Sequence, residues 1–189
     1  MSETYLISDT HFGHANSLTF KRADGEPLRP FSSVEEMDET LVSNWNSVVK
    51  PTDKVIHLGD VVINKKFLSI MERLNGKKKL IMGNHDEQNA SVYLKYFYDV
   101  KAYRIFDTCV MSHIPVHPAQ LERFSANVHG HLHSNFVLKP DGTRDYHFYN
   151  VSCDCDTMNF FPKPWYLIKE ELKSRGVSLV AKRSGRIIM

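Results

Sequence analysis

At 189 residues, with 42% hydrophobic and 24% charged residues, the chain has the length and balance of one globular domain with a substantial core. A formal net charge of +2 makes neither nucleic acid nor a membrane surface a partner demanded by charge, and three cysteines without framework spacing exclude a disulfide-stapled fold. The opening Met1-Ser2-Glu3-Thr4 has neither the basic nor the apolar region of a signal peptide, and no apolar run approaches membrane-spanning length, so the cytoplasm is the expected compartment and no membrane partner is expected.

Tyr5-Leu6-Ile7-Ser8 predicts a short strand that ends at Asp9-Thr10-His11. Val34, Met37, Leu41, Val42, Trp45, Val48 and Val49 recur at helical spacing. Ser32 or Ser33 caps that helix, Glu35 and Glu36 occupy its first turn, and Pro51 closes it. Lys54 to Leu58 is a second strand and delivers Gly59-Asp60. Lys65 to Leu74 reads as a helix stopped by Asn75-Gly76. Lys77 to Met82 is a third strand and delivers Gly83-Asn84-His85-Asp86. This βαβα alternation predicts a parallel sheet with right-handed crossovers.

The second half changes character. Ala102 to Phe106, Thr108 to Ser112, Asn127 to His129, Phe136 to Leu138 and Tyr146 to Val151 are strand-like, and Asp141-Gly142 is a hairpin turn signal. Trp165 to Ser174 is a helix behind Pro164, ended by Gly176. The expected organisation is one domain over residues 1–176 and a solvated tail over 177–189 that carries Lys182, Arg183 and Arg186.

Five motifs carry chemistry. They are Asp9-Thr10-His11, Gly59-Asp60, Gly83-Asn84-His85-Asp86, Ser112-His113-Ile114-Pro115 and Gly130-His131-Leu132-His133. They supply Asp, Asn and His, which bind Zn, Mn or Fe well, and nearly all follow apolar runs that read as strands. Asp-x-His or Gly-Asp alone is a weak signal; the five in this order are not. Ligands at the carboxyl ends of neighbouring strands converge on one crevice. Gly59 lets the backbone pass close to an ion there. His117 and His129 lie near His113. However, His113 ends the run Cys109-Val110-Met111, whereas His117 follows Pro115 in a loop and His129 points away by strand alternation. His57, inside a strand, reads as a satisfied core residue. Cys153 and Cys155 read as buried free thiols, and Asp154 and Asp156 carry no direct role. His14 either faces a substrate phosphate or stabilises its loop.

The set from Asp9 to His133 resembles the calcineurin-like metallophosphoesterase superfamily. The chain looks like its small stand-alone bacterial and bacteriophage members, including the stretch Asp9-Thr10-His11-Phe12-Gly13-His14. The resemblance implies an α/β fold, a β-sandwich of mixed sheets flanked by helices. It implies two divalent metals, one on Asp9, His11, Asp60 and His133, the other on Asp60, Asn84, His113 and His131, with Asp60 as the bridge. It further implies that a hydroxide held between the metals attacks phosphorus. His85 then assists the leaving group, and Asp86 orients His85. The donor set suits Mn, Fe, Zn, Co or Ni, with Mn the default that the resemblance carries.

The expected substrate is a small or nucleotide-derived phosphodiester. Protein phosphatases of the superfamily carry Asp-Arg-Gly after Gly-Asp and end the later motif in Glu; here Gly59-Asp60 runs into Val61-Val62-Ile63 and the later motif ends in Asp86. Two alternatives stand beside this reading. A non-catalytic scaffold on the same fold predicts missing ligands or a replaced His85, and neither is seen. A nuclease acting on RNA or DNA ends needs a basic, aromatic-lined groove. Tyr93, Tyr96, Phe97 and Tyr98 cluster beside Lys95, but core packing explains them more simply.

Overall fold

In chain order the regular elements are β1 (Thr4–Ile7), α1 (Val34–Val48), β2 (Lys54–His57), β3 (Lys77–Ile81), α2 (Ala90–Tyr93), β4 (Asp99–Lys101), β5 (Tyr103–Phe106), β6 (Cys109–Ser112), β7 (Ala126–His129), β8 (Phe148–Asn150), β9 (Lys163–Pro164) and α3 (Trp165–Ser174). The structure is a computed structural model that describes residues 2–180, so Lys182, Arg183 and Arg186 of the expected tail lie outside the described residues.

The strands form two sheets, one of order β4-β3-β2-β1-β9 and one of order β5-β6-β7-β8. In the first, β1 through β4 run parallel and β9 closes the edge antiparallel to β1. In the second, β5 is antiparallel to β6, while β6, β7 and β8 are parallel. Each sheet is therefore mixed. All residues of β6, β7 and β8 are buried, as expected of strands covered on both faces. The register aligns Ile7 with His57 and His57 with Leu80, so the motifs that follow β1, β2 and β3 emerge side by side. The two sheets are tied together just beyond β1. The N–H of Ser8 donates to the Val151 carbonyl at 2.8 Å, and the N–H of Cys153 donates to the Ser8 carbonyl at 2.9 Å.

Helix α1 forms where its sequence pattern places it. Ser33 caps it by accepting the N–H of Glu36 at 3.1 Å, and the Glu36 carboxylate reaches back to the N–H of Ser32 at 2.8 Å. Its buried stripe is Met37, Leu41, Val42 and Trp45, and Trp45 stacks near His57 of β2. Helix α3 buries Trp165, Ile168 and Leu172 and packs against β1 and β9.

Four expectations differ from the structure. The solvated tail does not begin at residue 177: Val177 is buried in the core, Leu179 packs against it, and Ser125 Oγ donates to the Val180 carbonyl at 2.9 Å, because the chain folds back onto the domain after α3. Lys65–Arg73 is a 3-10 helix, because a three-residue turn puts Leu68 and Met71 in line on its buried side. Phe136 to Leu138 is not a strand: among the described residues no strand offers it a ladder, and an isolated bridge joins Leu138 to Arg144 around the Asp141-Gly142 turn. Conversely, Asp99–Lys101 is a strand because β3 supplies the edge it pairs with.

Candidate metal centre

The backbone that presents the motifs is unusual. Asp9, His11, Asp60, His131 and His133 have φ of 57°, 47°, 56°, 68° and 50°, in the left-handed region that non-glycine residues seldom enter. Each such residue costs about 1–3 kcal/mol and persists only where its surroundings over-determine it. Hydrogen bonds supply that constraint. Asp9 donates its N–H to the Gly59 carbonyl at 2.9 Å, and His11 donates to the Asp60 carbonyl at 3.1 Å. His131 donates its N–H to Asp9 Oδ2 at 2.9 Å. Gly130 has no room for a side chain, since a Cβ there would lie 2.1 Å from Ser8 Oγ and 2.4 Å from Asp9 Oδ2. The strand ends at His129, and His131 and His133 sit in a turn.

The side chains converge. Asp60 Oδ2 lies 3.6 Å from His11 Nε2 and 3.3 Å from His113 Nε2, so one carboxylate oxygen stands between two imidazoles. His113 directs Nδ1 at the Leu58 carbonyl, 2.7 Å away, which makes Nδ1 the donor and turns Nε2 toward Asp60 and Asn84 Oδ1, the latter at 3.0 Å. Donor atoms of Asp9, His11 and His133 form one cluster, and those of Asp9, Asp60 and His113 form a second. Both clusters share Asp9. His131 joins neither; its ring stands edge-on to His113 at 5.2 Å.

The electrostatics match a cation site. Burial pushes the Asp60 carboxyl up, but its bond to His113, the N–H of His85 and nearby His11 outweigh that and bring it to about 2. Burial drives the Asp9 carboxyl up and the His11 imidazole well down. Asp9 Oδ1 and His11 Nδ1 are buried and have no hydrogen-bond partner. A buried carboxylate oxygen left unsatisfied is expensive unless a cation meets it. The donor set of imidazole, carboxylate and one amide fits a first-row divalent metal.

Behind the donors lies a second layer that the motifs do not spell out. Asp154 accepts from His133 Nδ1 at 2.9 Å, fixing the tautomer that leaves Nε2 free. Arg29 is fully buried and donates Nε to Asp154 Oδ2 at 2.9 Å. It also donates Nη1 to the Thr10 carbonyl at 2.9 Å and Nη2 to the Asp9 carbonyl. Asp154 was expected to carry no direct role; it touches no second ligand, but it orients one. Its place at a strand end was the only signal in the sequence, and Arg29, in an irregular loop, offered none.

Asp86 requires a correction. It does not hydrogen-bond to His85. Its carboxylate accepts the backbone N–H groups of Asp60 at 2.8 Å, Val61 at 3.1 Å and Gly83 at 2.8 Å, because the turn carries it under the loop rather than toward the cleft. His85 is exposed, donates its N–H to Asp60 Oδ1 at 2.9 Å, and holds its ring 5.7 Å from that of His11.

The other histidines separate cleanly. His57 is buried, accepts the Gly59 N–H at Nδ1 and meets Thr10 Oγ1 at 3.0 Å, as a satisfied core residue should. His117 accepts the Ala119 N–H, and His129 is buried against Phe148 with Nδ1 on the Gly130 carbonyl. His14 packs between His11 and Phe20. All three cysteines are buried and free.

Two mixed sheets whose strand ends gather Asp, His and Asn around a shared carboxylate define a metal-binding α/β sandwich. The family model of the calcineurin-like phosphoesterases matches residues 3–174, and the chain belongs to that family. The family hydrolyses phosphoesters with divalent metals. The chain is 37% identical over 141 residues to an uncharacterised protein of Methanocaldococcus jannaschii, covering 72% of this chain and 73% of that one. It is 35% identical over 91 residues to the gene 66 protein of Mycobacterium phage L5, covering 46% of this chain and 41% of that one. Its fold is similar to the crystal structure of a protein of unknown function from Aquifex aeolicus, with a TM-score of 0.66 and 23% identity over 90% of this chain and all of that one. Among the described residues no helix is long and apolar enough to cross a membrane.

Proposed function

We infer that the protein is a binuclear phosphodiesterase, with Mn2+ the expected metal, acting on small or nucleotide-derived phosphodiesters. The observation that carries this reading is Asp60 Oδ2 standing between His11 Nε2 and His113 Nε2, beside the unpartnered Asp9 Oδ1. Asp9, His11, Asp60 and His133 would hold one ion, and Asp60, Asn84, His113 and His131 the other. When bound, two such ions would supply positive charge against the phosphate and lower the pKa of a bound water toward neutrality.

The chain's own residues do the rest. The second layer of Arg29, Asp154 and Asp86 holds the donors in place before substrate arrives, which spares reorganisation during reaction. His85, exposed and with its ring 5.7 Å from that of His11, would give a hydrogen bond or proton to the departing oxygen. A cavity of about 350 Å³ adjoins Asn84 and His113 and is lined further by Met82, Ala102 and Ile114. Its volume suits one organic arm of a diester.

The test is hydrolysis of an aryl phosphodiester and of the matching monoester by chelated protein reloaded with Mn2+, with His85→Ala alongside. Diester turnover that requires both the metal and His85 supports the reading. Monoester turnover alone, or diester turnover unaffected by chelation, overturns it.

A further inference from the structure

The segment 134–147 lies outside the metal centre but is fastened to it. Asn150 Nδ2 donates to the carbonyls of His133 at 2.7 Å and of Asn135 at 3.2 Å, so the segment leaves directly from a metal-ligand candidate. Its two arms meet at Leu138 and Arg144. The Arg144 guanidinium sits 3.8 Å from the Phe136 ring centroid and 5.6 Å from that of Tyr146. Arg175, at the end of α3, lies 5.8 Å from the same Tyr146 ring and 5.2 Å from Tyr149. Two guanidiniums thus share one aromatic ring.

Their charges are unequally met. Arg175 pairs with Glu171 at 3.1 Å, and Glu171 also serves Lys163 at 2.6 Å. Among the described residues Arg144 forms no ion pair, and its buried Nε has no hydrogen-bond partner. Burial and the neighbouring Arg175 both weaken its hold on its proton. Phe136 and Tyr146 remain 42% and 43% exposed, so each keeps ring surface that the arginines leave uncovered. Crowded cations over half-exposed rings call for a ligand with an anion and a planar face together. A nucleotide has both, since its base stacks on an aromatic ring or a guanidinium and its phosphate meets arginine.

We propose that Phe136, Arg144, Tyr146 and Arg175 bind an unpaired nucleotide of a single-stranded nucleic acid, presenting the adjoining phosphodiester to the centre at His133. The substrate class this assigns rests on the phosphodiesterase reading, whereas the binding itself does not. The tyrosine-rich cluster near Lys95 does not serve this purpose, because Tyr93 and Phe97 are each 1% exposed and belong to the core.

The test reads binding on the full chain after chelation, so no metal or turnover is needed. A fluorescent single strand of about eight nucleotides is titrated by anisotropy, with inorganic polyphosphate and a duplex of the same sequence as competitors. The single strand is expected to bind and to resist both competitors at equal phosphate. Phe136→Leu should weaken it about tenfold, and Phe136→Tyr, which keeps the ring, should restore it. Arg144→Gln should also weaken it and reduce the slope of log affinity against log salt by about 0.7. Absence of binding at low salt, equal competition by polyphosphate, wild-type affinity in Phe136→Leu, or equal loss in Phe136→Tyr would each overturn the proposal. Aryl-diester hydrolysis by the metal-loaded wild type separates the two readings. Strand binding without any hydrolysis keeps this site and removes the phosphodiesterase; hydrolysis without strand binding does the reverse.

Discussion

Asp154 and His133 are joined through Nδ1 at 2.9 Å, and the same carboxylate oxygen accepts Nε of the buried Arg29 at 2.9 Å. Burial alone would raise the Asp154 carboxyl, but Arg29 and His133 hold it at about 2, so it stays ionised and acts only as an acceptor. His133 is thereby locked as the tautomer whose Nε2 lone pair faces the donor cluster.

Asp154→Asn should therefore weaken metal binding about 10- to 100-fold, the usual effect of losing a partner that orients a ligand. Calorimetric titration of chelated protein with Mn2+ would show it; unchanged affinity would remove Asp154 from the site. Arg29→Met should act differently. It leaves the Asp154 charge buried without its cation, at a cost of about 3–5 kcal/mol in denaturant unfolding of the metal-free protein.

Asp86 and His85 should separate stability from rate. Asp86→Ala removes the acceptor of three N–H groups, so a loss of several kcal/mol is expected, at about 1–3 kcal/mol for each buried donor left unmade. His85→Ala, at an exposed position, should leave the unfolding free energy within about 0.5 kcal/mol of wild type and lower kcat by about 10²–10⁴ on a poor leaving group. Comparable melting of both variants would contradict the assignment.

Gly130→Ala should disable the centre. The new methyl would meet Ser8 Oγ, which donates to the Leu58 and Gly59 carbonyls, and Asp9 Oδ2, which accepts from Ser152 Oγ and the His131 N–H and belongs to a carboxylate of the donor set. Overpacking of this kind costs about 1–3 kcal/mol. The expected outcome is a lower melting temperature together with substoichiometric metal by elemental analysis. Full metal content would show that the backbone yields there.

Acid sensitivity should trace partly to His57. Burial lowers its imidazole from 6.5 to about 3. Below pH 6.5 the unfolded chain binds a proton at this group and the folded protein does not. Stability is therefore complete above that value and falls as pH drops toward 3, by about 1.4 kcal/mol per pH unit. His57→Gln cannot take up that proton. Unfolding free energies measured between pH 4 and pH 7 should decline less steeply in the variant, and parallel curves would refute the claim.

Much of this protein was legible in its linear pattern. Helix α1 was readable because its contacts are local: Ser33, Glu36 and the stripe from Met37 to Trp45 lie within four turns of one another. The donors Asp9, Asp60, Asn84 and His113 were readable because each directly follows a strand or the short turn after it, and parallel strands bring such positions together whatever the loops contain.

The rest depended on long-range contacts. Nothing near Arg29 announces that its guanidinium will lie under Asp9, Thr10 and Asp154, the last of these 125 positions away. Asp86 adjoins His85 in the chain, and the turn sends their side chains to different places, one under the loop and one to the cleft. His131 and His133 are a short motif in the sequence, but their backbone enters the left-handed region, where contacts to Asp9, Asn150 and Asp154 hold it. The sequence alone determined which side chains were available to bind metal and the order in which strands present them. The tertiary structure decided which of them meet, which tautomers they hold and which polar groups stay unsatisfied, because these are set by hydrogen bonds that close only when the two sheets join at Ser8 and Ser152.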